Sequence, residues 1–239
     1  MDTIIEKVRR ELLAASDEKV RESSRRFFKE NERAVVYGVK TAVAAQIGKE
    51  NFLAVKGKSK REIFELCEQL WQSGVVEESF IACTWSSHLY KQYEPADFVL
   101  FEKWVDRYVD NWASCDTLCN HTVGSFIERF PAFLAELKKW AVSANRWMRR
   151  AAAVSLIVPA RKGMFLPDIF EIADILLTDN EDLVQKGYGW MLKVASQQHP
   201  EEVFDYVMRQ RAIMPRTALR YAIEKMPPEW KARAMEKPR

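Results

Sequence analysis

An indole and a carboxylate stand four residues apart at Trp112 and Asp116, and an amine and an indole stand four apart at Lys186 and Trp190. Four residues are about one helical turn, so the members of each pair share a side of their helix. A carboxylate beside an aromatic face suits a reaction that develops positive charge. The anion stabilises that charge and orients water, and the ring's negative face favours the same cation. Plainer roles compete for each residue alone: Asp near a helix start usually caps it, Trp at helical spacing usually packs in a core, and eight tryptophans make coincidental pairs common.

Spacing along the chain sets these residues apart from coincidence. Ala82, Asp116, Arg150 and Lys186 recur at intervals of 34, 34 and 36 residues, each inside a helix-like stretch. A fixed period in this range is the mark of stacked helical pairs, in which each unit buries its apolar face only against its neighbours. Equivalent positions in such a solenoid lie along one line, so Asp116, Arg150 and Lys186 are expected in a row on one surface. The remaining catalytic signals are absent: there is no phosphate-binding glycine loop, GxGxxG, HExxH or GxSxG. Cys115, Cys119 and His121 form a CxxxCxH that lacks a fourth ligand and matches no common zinc spacing, so no metal is expected.

The elements that must position these residues are helices throughout. With 48% hydrophobic residues in 239, the chain can bury a large core; 8 Gly and 9 Pro leave little room for tight strand turns, and period-two alternation is nowhere sustained. The expected fold is all-α, one continuous domain over 1–239. A first helix is read over 3–29, with Arg25, Arg26 and Lys29 near its end, and a second from Thr41, after the turn 36–40. Ser59 is an N-cap candidate for a helix that Gly74 stops, and 78–93 is the next. Pairs follow: 98–108 with 116–129, 133–141 with 146–158, 167–177 with 183–198, and 203–209 with 215–224. Pro131, Pro167 and Pro200 fall at helix starts or connections, where a missing amide hydrogen does no harm.

A net charge of +3 is too small to identify a polyanion partner, although Lys138, Lys139, Arg146, Arg149, Arg150, Arg161 and Lys162 cluster in the second half. The four cysteines sit in apolar helical contexts and are expected as reduced thiols, and no apolar run is long enough for a signal or a membrane span. A cytoplasmic monomer is expected, with no membrane partner.

Trp112-x-x-x-Asp116, the block from Asn145 to Ala152 and the block from Gln185 to Lys193 resemble the AlkD-type DNA alkylation repair glycosylases, built of HEAT-like repeats. The resemblance covers roughly residues 27–222 and includes the Tyr37-Gly38-Val39-Lys40 turn. It implies an α-solenoid with a concave basic face that binds duplex DNA carrying alkylated bases, and no small-molecule cofactor. Residue by residue, it implies that Trp112 and Trp190 flank the damaged nucleotide and that Asp116 is the catalytic carboxylate. Arg150 would contact phosphate, with Arg149, Lys186 and Lys193 among the DNA-binding cations, and Lys40 and Thr41 would meet the backbone where the second helix begins. Phe27 stands where the family usually has Tyr, which removes a hydroxyl, and Ala42 where it usually has Pro. The implied reaction is hydrolysis of the N-glycosidic bond of N3- or N7-alkylated purines. A non-catalytic reader of DNA structure would keep the cations but need no carboxylate facing the backbone. A protein-binding scaffold would show an acidic or apolar face instead.

Overall fold

Capping residues set the first helices. In the computed structural model, which describes residues 3–28, 32 and 34–236, Thr3 closes a capping box with Glu6, and Ser59 closes one with Glu62. Asp17 opens a separate helix by accepting the amides of Lys19 and Val20. The single helix expected over 3–29 is therefore two, α1 (Ile4–Ala14) and α2 (Glu18–Arg25), because Asp17 competes for the backbone and starts a new helix. Lys29 lies outside the described residues.

The described chain forms two compact units, 1–122 and 123–239. The first continues with α3 (Thr41–Val55), α4 (Lys60–Trp71), α5 (Val76–His88), α6 (Phe98–Tyr108) and α7 (Trp112–Leu118). Helices α3, α4 and α7 pack on α5 around Ile63, Leu70, Trp85, Phe101 and Trp104. The Trp85 indole donates to the Gly48 carbonyl at 2.8 Å. The second unit contains α8 (Gly124–Arg129), α9 (Leu134–Ala141), α10 (Arg146–Val154), α11 (Ile157–Arg161), α12 (Leu166–Ile175), α13 (Asp182–Ala195), α14 (Pro200–Gln210), α15 (Arg216–Ala222) and α16 (Pro228–Met235). Helix α13 packs against α10 on one side and α15 on another.

Helix breaks are where the sequence expectations needed correction. The expected helix 146–158 divides after Val154, because Pro159 has no amide hydrogen for the Ser155 carbonyl four residues back. The expected helix 116–129 starts earlier, at Trp112, and passes through one π-helical turn at Cys119–Val123 before α8. Helix α5 spans Val76–His88 rather than 78–93, and α16 was not foreseen. No strand is present among the described residues, which hold only an isolated bridge between Val35 and Val75, and none of their helices is long and apolar enough to cross a membrane.

The repeat period reappears as side-chain bonds between neighbouring helical pairs. Ser79 Oγ meets Ser114 Oγ at 2.7 Å and Ser86 Oγ meets Thr122 Oγ1 at 2.8 Å, 35 and 36 residues apart. In the second unit Lys162 reaches Glu128, 34 residues back, and His199 Nε2 meets the Gly163 carbonyl, 36 back. An all-α fold of stacked helical pairs, as in an α-solenoid, is what the period predicts.

Candidate functional site

Asn111, in extended backbone, caps α7 by accepting the Ser114 amide at 2.9 Å. Trp112 is then the first residue of α7 and Asp116 the fifth, one turn further on, both half-buried. The cap of α7 is therefore Asn111 and not Asp116. The Trp112 indole Nε1 donates to the Phe27 carbonyl at 3.2 Å, its amide donates to Glu32 Oε1 at 3.1 Å, and its ring lies 6.0 Å from that of Phe28.

Three of the expected site residues meet at one opening in the first unit. A cavity of about 260 Å³ is lined by Phe27, Thr41 and Trp112 together with Phe28, Phe80 and Glu77. Phe27 is 68% exposed at its rim. Lys40 and Thr41 are exposed at the start of α3, whose first turn carries no side-chain cap and no acidic residue, leaving the positive end of its dipole without a local anion.

Two buried carboxylates hold that helix start in place. Glu77 accepts the amides of Tyr37, Gly38 and Val39 at 3.1, 2.9 and 3.0 Å. Glu78, with no exposed surface, accepts the Arg9 guanidinium and the Tyr37 hydroxyl at 2.7 Å. Burial and this bond push the Tyr37 phenol up to about 12. Gly38 takes φ +87°, and a Cβ there would lie 2.6 Å from Arg21 Cβ and 2.7 Å from the Asp17 carbonyl, so only glycine threads the turn between α2 and α5. Sequence reasoning missed Glu77, Glu78 and Glu32. An acidic pair at a helix start reads as an ordinary dipole complement.

In the second unit the expected cations are largely engaged. Arg150 is 5% exposed, and its guanidinium donates to the Leu183 carbonyl at the start of α13. Gly187 lies against it: a Cβ there would be 3.4 Å from Arg150 Cγ. Of the three residues expected in a surface row, Arg150 is buried, and Asp116 and Lys186 are half-buried. Arg149 binds Asp179 at 2.6 Å and the Ser143 and Ala144 carbonyls. Lys186 pairs with Asp182 at 2.9 Å, one turn back, and Trp190 is half-buried one turn on. Lys193 pairs with Glu224 at 2.9 Å and lies over the Tyr221 ring, which holds the Glu224 carboxyl below its usual range. The basic cluster read from sequence pairs in the same way: Lys138 with Asp168 and Glu171, Lys139 with Glu136, and Lys162 with Glu128.

Cys115 and Cys119 have no exposed surface, and no cluster of metal-ligating groups occurs among the described residues. Burial pushes the Cys67 and Cys83 thiols up, leaving them poor nucleophiles.

No curated protein matches the sequence. A solved structure described as a predicted DNA alkylation repair enzyme from Enterococcus faecalis is similar over 89% of this chain and 97% of its own, with a TM-score of 0.78 at 17% identity, a likeness of fold. The family model for DNA alkylation repair enzyme matches residues 8–226, a span that includes α7 with its Trp112–Asp116 pair, and the chain belongs to that family.

Proposed function

We propose that the protein is a monofunctional DNA glycosylase that hydrolyses the N-glycosidic bond of purines alkylated at N3 or N7 in duplex DNA. The observation that carries this reading is Asp116, one turn behind Trp112 on a helix whose cap is another residue. A carboxylate on a helix expected to face DNA opposes backbone binding, and the reaction gives it a use there.

The residues suffice for the reaction. Alkylation makes the base cationic, so the glycosidic electron pair leaves with the base and neutralises it, and no protein acid is required. Positive charge develops on the deoxyribose, where Asp116 stabilises it and orients water, and the Trp112 face favours the same charge. Water oxygen bonds to the anomeric carbon, and its proton passes to Asp116 or to solvent. Trp190 is the second indole that the resemblance assigns to this sugar. Lys40 and Thr41, at the open start of α3, are suited to a phosphate. Lys186, Lys193, Arg149 and Arg150 keep the DNA-backbone role that the resemblance implies, with the internal pairings above as their competing duty.

The test is release of free 7-methylguanine or 3-methyladenine from methylated duplex by wild type and by Asp116→Asn. Loss of one preorganised electrostatic group costs about 10²- to 10³-fold in rate. The variant is expected to fold normally and bind duplex at least as well. If wild type binds duplex but releases no base, a non-catalytic reader of DNA structure is the better account. If Asp116→Asn excises at the wild-type rate, Asp116 has no chemical role.

A further inference from the structure

Three contacts converge on Trp112 from the stretch before α3. Phe27 supplies a backbone carbonyl to the indole, Phe28 a ring beside it, and Glu32 a carboxylate to the Trp112 amide. Glu32 is 7% exposed and reaches across 80 residues of sequence to do this. The first turn of α7 offers orphan amides. Asn111 takes that of Ser114, and Glu32 takes that of Trp112.

A bond from the Trp112 amide to a carboxylate largely out of water is worth more than one in solvent, so it favours the placement of α7 in which the two meet. An anion at a helix N-terminus also complements the dipole. The contact thereby ties down the first turn of the helix that carries both the indole and Asp116. We propose that Glu32 is a positioning residue: through the Trp112 amide it aims Trp112 and Asp116. The proposal rests on the reading of these two as the reacting pair.

The test uses the full chain labelled with ¹⁵N. The Trp112 indole signal is assigned by its loss in Trp112→Phe, the Trp112 amide by sequential connectivity, and exchange of that amide with water is measured in wild type, Glu32→Ala and Glu32→Gln. Glu32→Ala is expected to speed Trp112 amide exchange about tenfold or more, the loss of a charge-assisted bond, while Glu32→Gln, which keeps an Oε1 acceptor, stays within about threefold. Single-turnover excision should fall in Glu32→Ala and recover in Glu32→Gln, with duplex affinity held within about twofold. Unchanged Trp112 exchange in Glu32→Ala overturns the proposal. Should Glu32→Ala fail to fold, Glu32→Gln decides it: exchange near wild type supports the contact, and tenfold acceleration overturns it. Faster exchange in Glu32→Ala, in a protein whose wild type excises nothing, supports the positioning contact and sinks the glycosylase reading instead.

Discussion

Gly189 sits in the interior of α13, where alanine would ordinarily stabilise the helix by about 0.5–1 kcal/mol. Its surroundings reverse the sign. A Cβ at Gly189 would stand 2.7 Å from Tyr221 Cβ, 2.8 Å from the Ala218 carbonyl oxygen and 3.1 Å from Ala218 Cα, all on α15. Ordinary carbon contacts begin near about 3.5 Å, and two of the three atoms are backbone, so no rotamer change relieves the overlap. Helix α15 must move by close to an ångström, and overpacking of this kind costs roughly 1–3 kcal/mol. After the helix-propensity gain is subtracted, Gly189→Ala should destabilise by about 1 kcal/mol, a fall in Tm of about 2–4 °C for a chain of this size. Gly187→Ala is the control. Its nearest neighbours lie at 3.4 Å and include the long Arg150 side chain, so it should be near neutral. Thermal melts followed by circular dichroism measure both variants. A Gly189→Ala protein as stable as wild type, or a Gly187→Ala protein that falls equally, would refute the reasoning.

Glu77→Gln should destabilise by roughly 1–3 kcal/mol, because a carboxamide turns donor hydrogens toward at least one of the three amides that Glu77 accepts. Amide exchange at Tyr37 to Val39 is the local readout, and protection unchanged in the variant would contradict the role given to Glu77. Burial tends to raise the Glu68 carboxyl, but bonds from Lys103, Tyr108 and Trp104 outweigh it and hold it below its usual value. A carboxyl depressed on folding adds stability above its unfolded pKa of about 4.3, and that stability is lost as pH falls through the folded value. Below about pH 4.5 the wild-type Tm should therefore drop more steeply than that of Glu68→Gln; parallel curves would show that Glu68 contributes nothing to acid sensitivity. The loss of excision in Asp116→Asn, with folding and duplex binding intact, stands beside these as the direct test of the chemistry.

Local signals were readable and distant ones were not. Ser59 announced α4, and the apolar pattern of 98–108 gave α6 with the bounds it has, since caps and periodicity act within a few residues. The 34- to 36-residue period pointed to stacked pairs for the same reason, each pair repeating the same local rules. Arg149 and Lys193 looked like free surface cations because their partners, Asp179 and Glu224, lie 30 and 31 residues away, about one repeat along. Glu77 gave no sign of its role because the amides it holds are 38 to 40 residues back. Arg150 was misjudged as surface for a related reason: its burial depends on Gly187 in the next inner helix. Long-range pairing determines which polar groups of this protein are left for DNA, and that pairing is invisible in local pattern.

The two hydroxyl rungs between α5 and the chain that follows Asn111 count differently on their two sides. Ser79 and Ser86 are seven residues apart, whereas Ser114 and Thr122 are eight. Two α-helical turns take about seven residues, so an ordinary helix would carry position 122 past its partner. The wider π turn at Cys119–Val123 absorbs the surplus residue and brings both rungs into register. It works like a leap day, an extra unit inserted so that two calendars of unequal length agree. Asp116 lies before the insertion, so its own phase relative to Ser114 is that of plain α-helix. Deleting one residue between Cys119 and His121 would leave seven residues between the two hydroxyls, which a plain α-helix spans with the Ser86–Thr122 rung still in register and Asp116 where it stands. The irregular turn is thus what lets a chain with eight residues on one side keep both rungs against seven on the other.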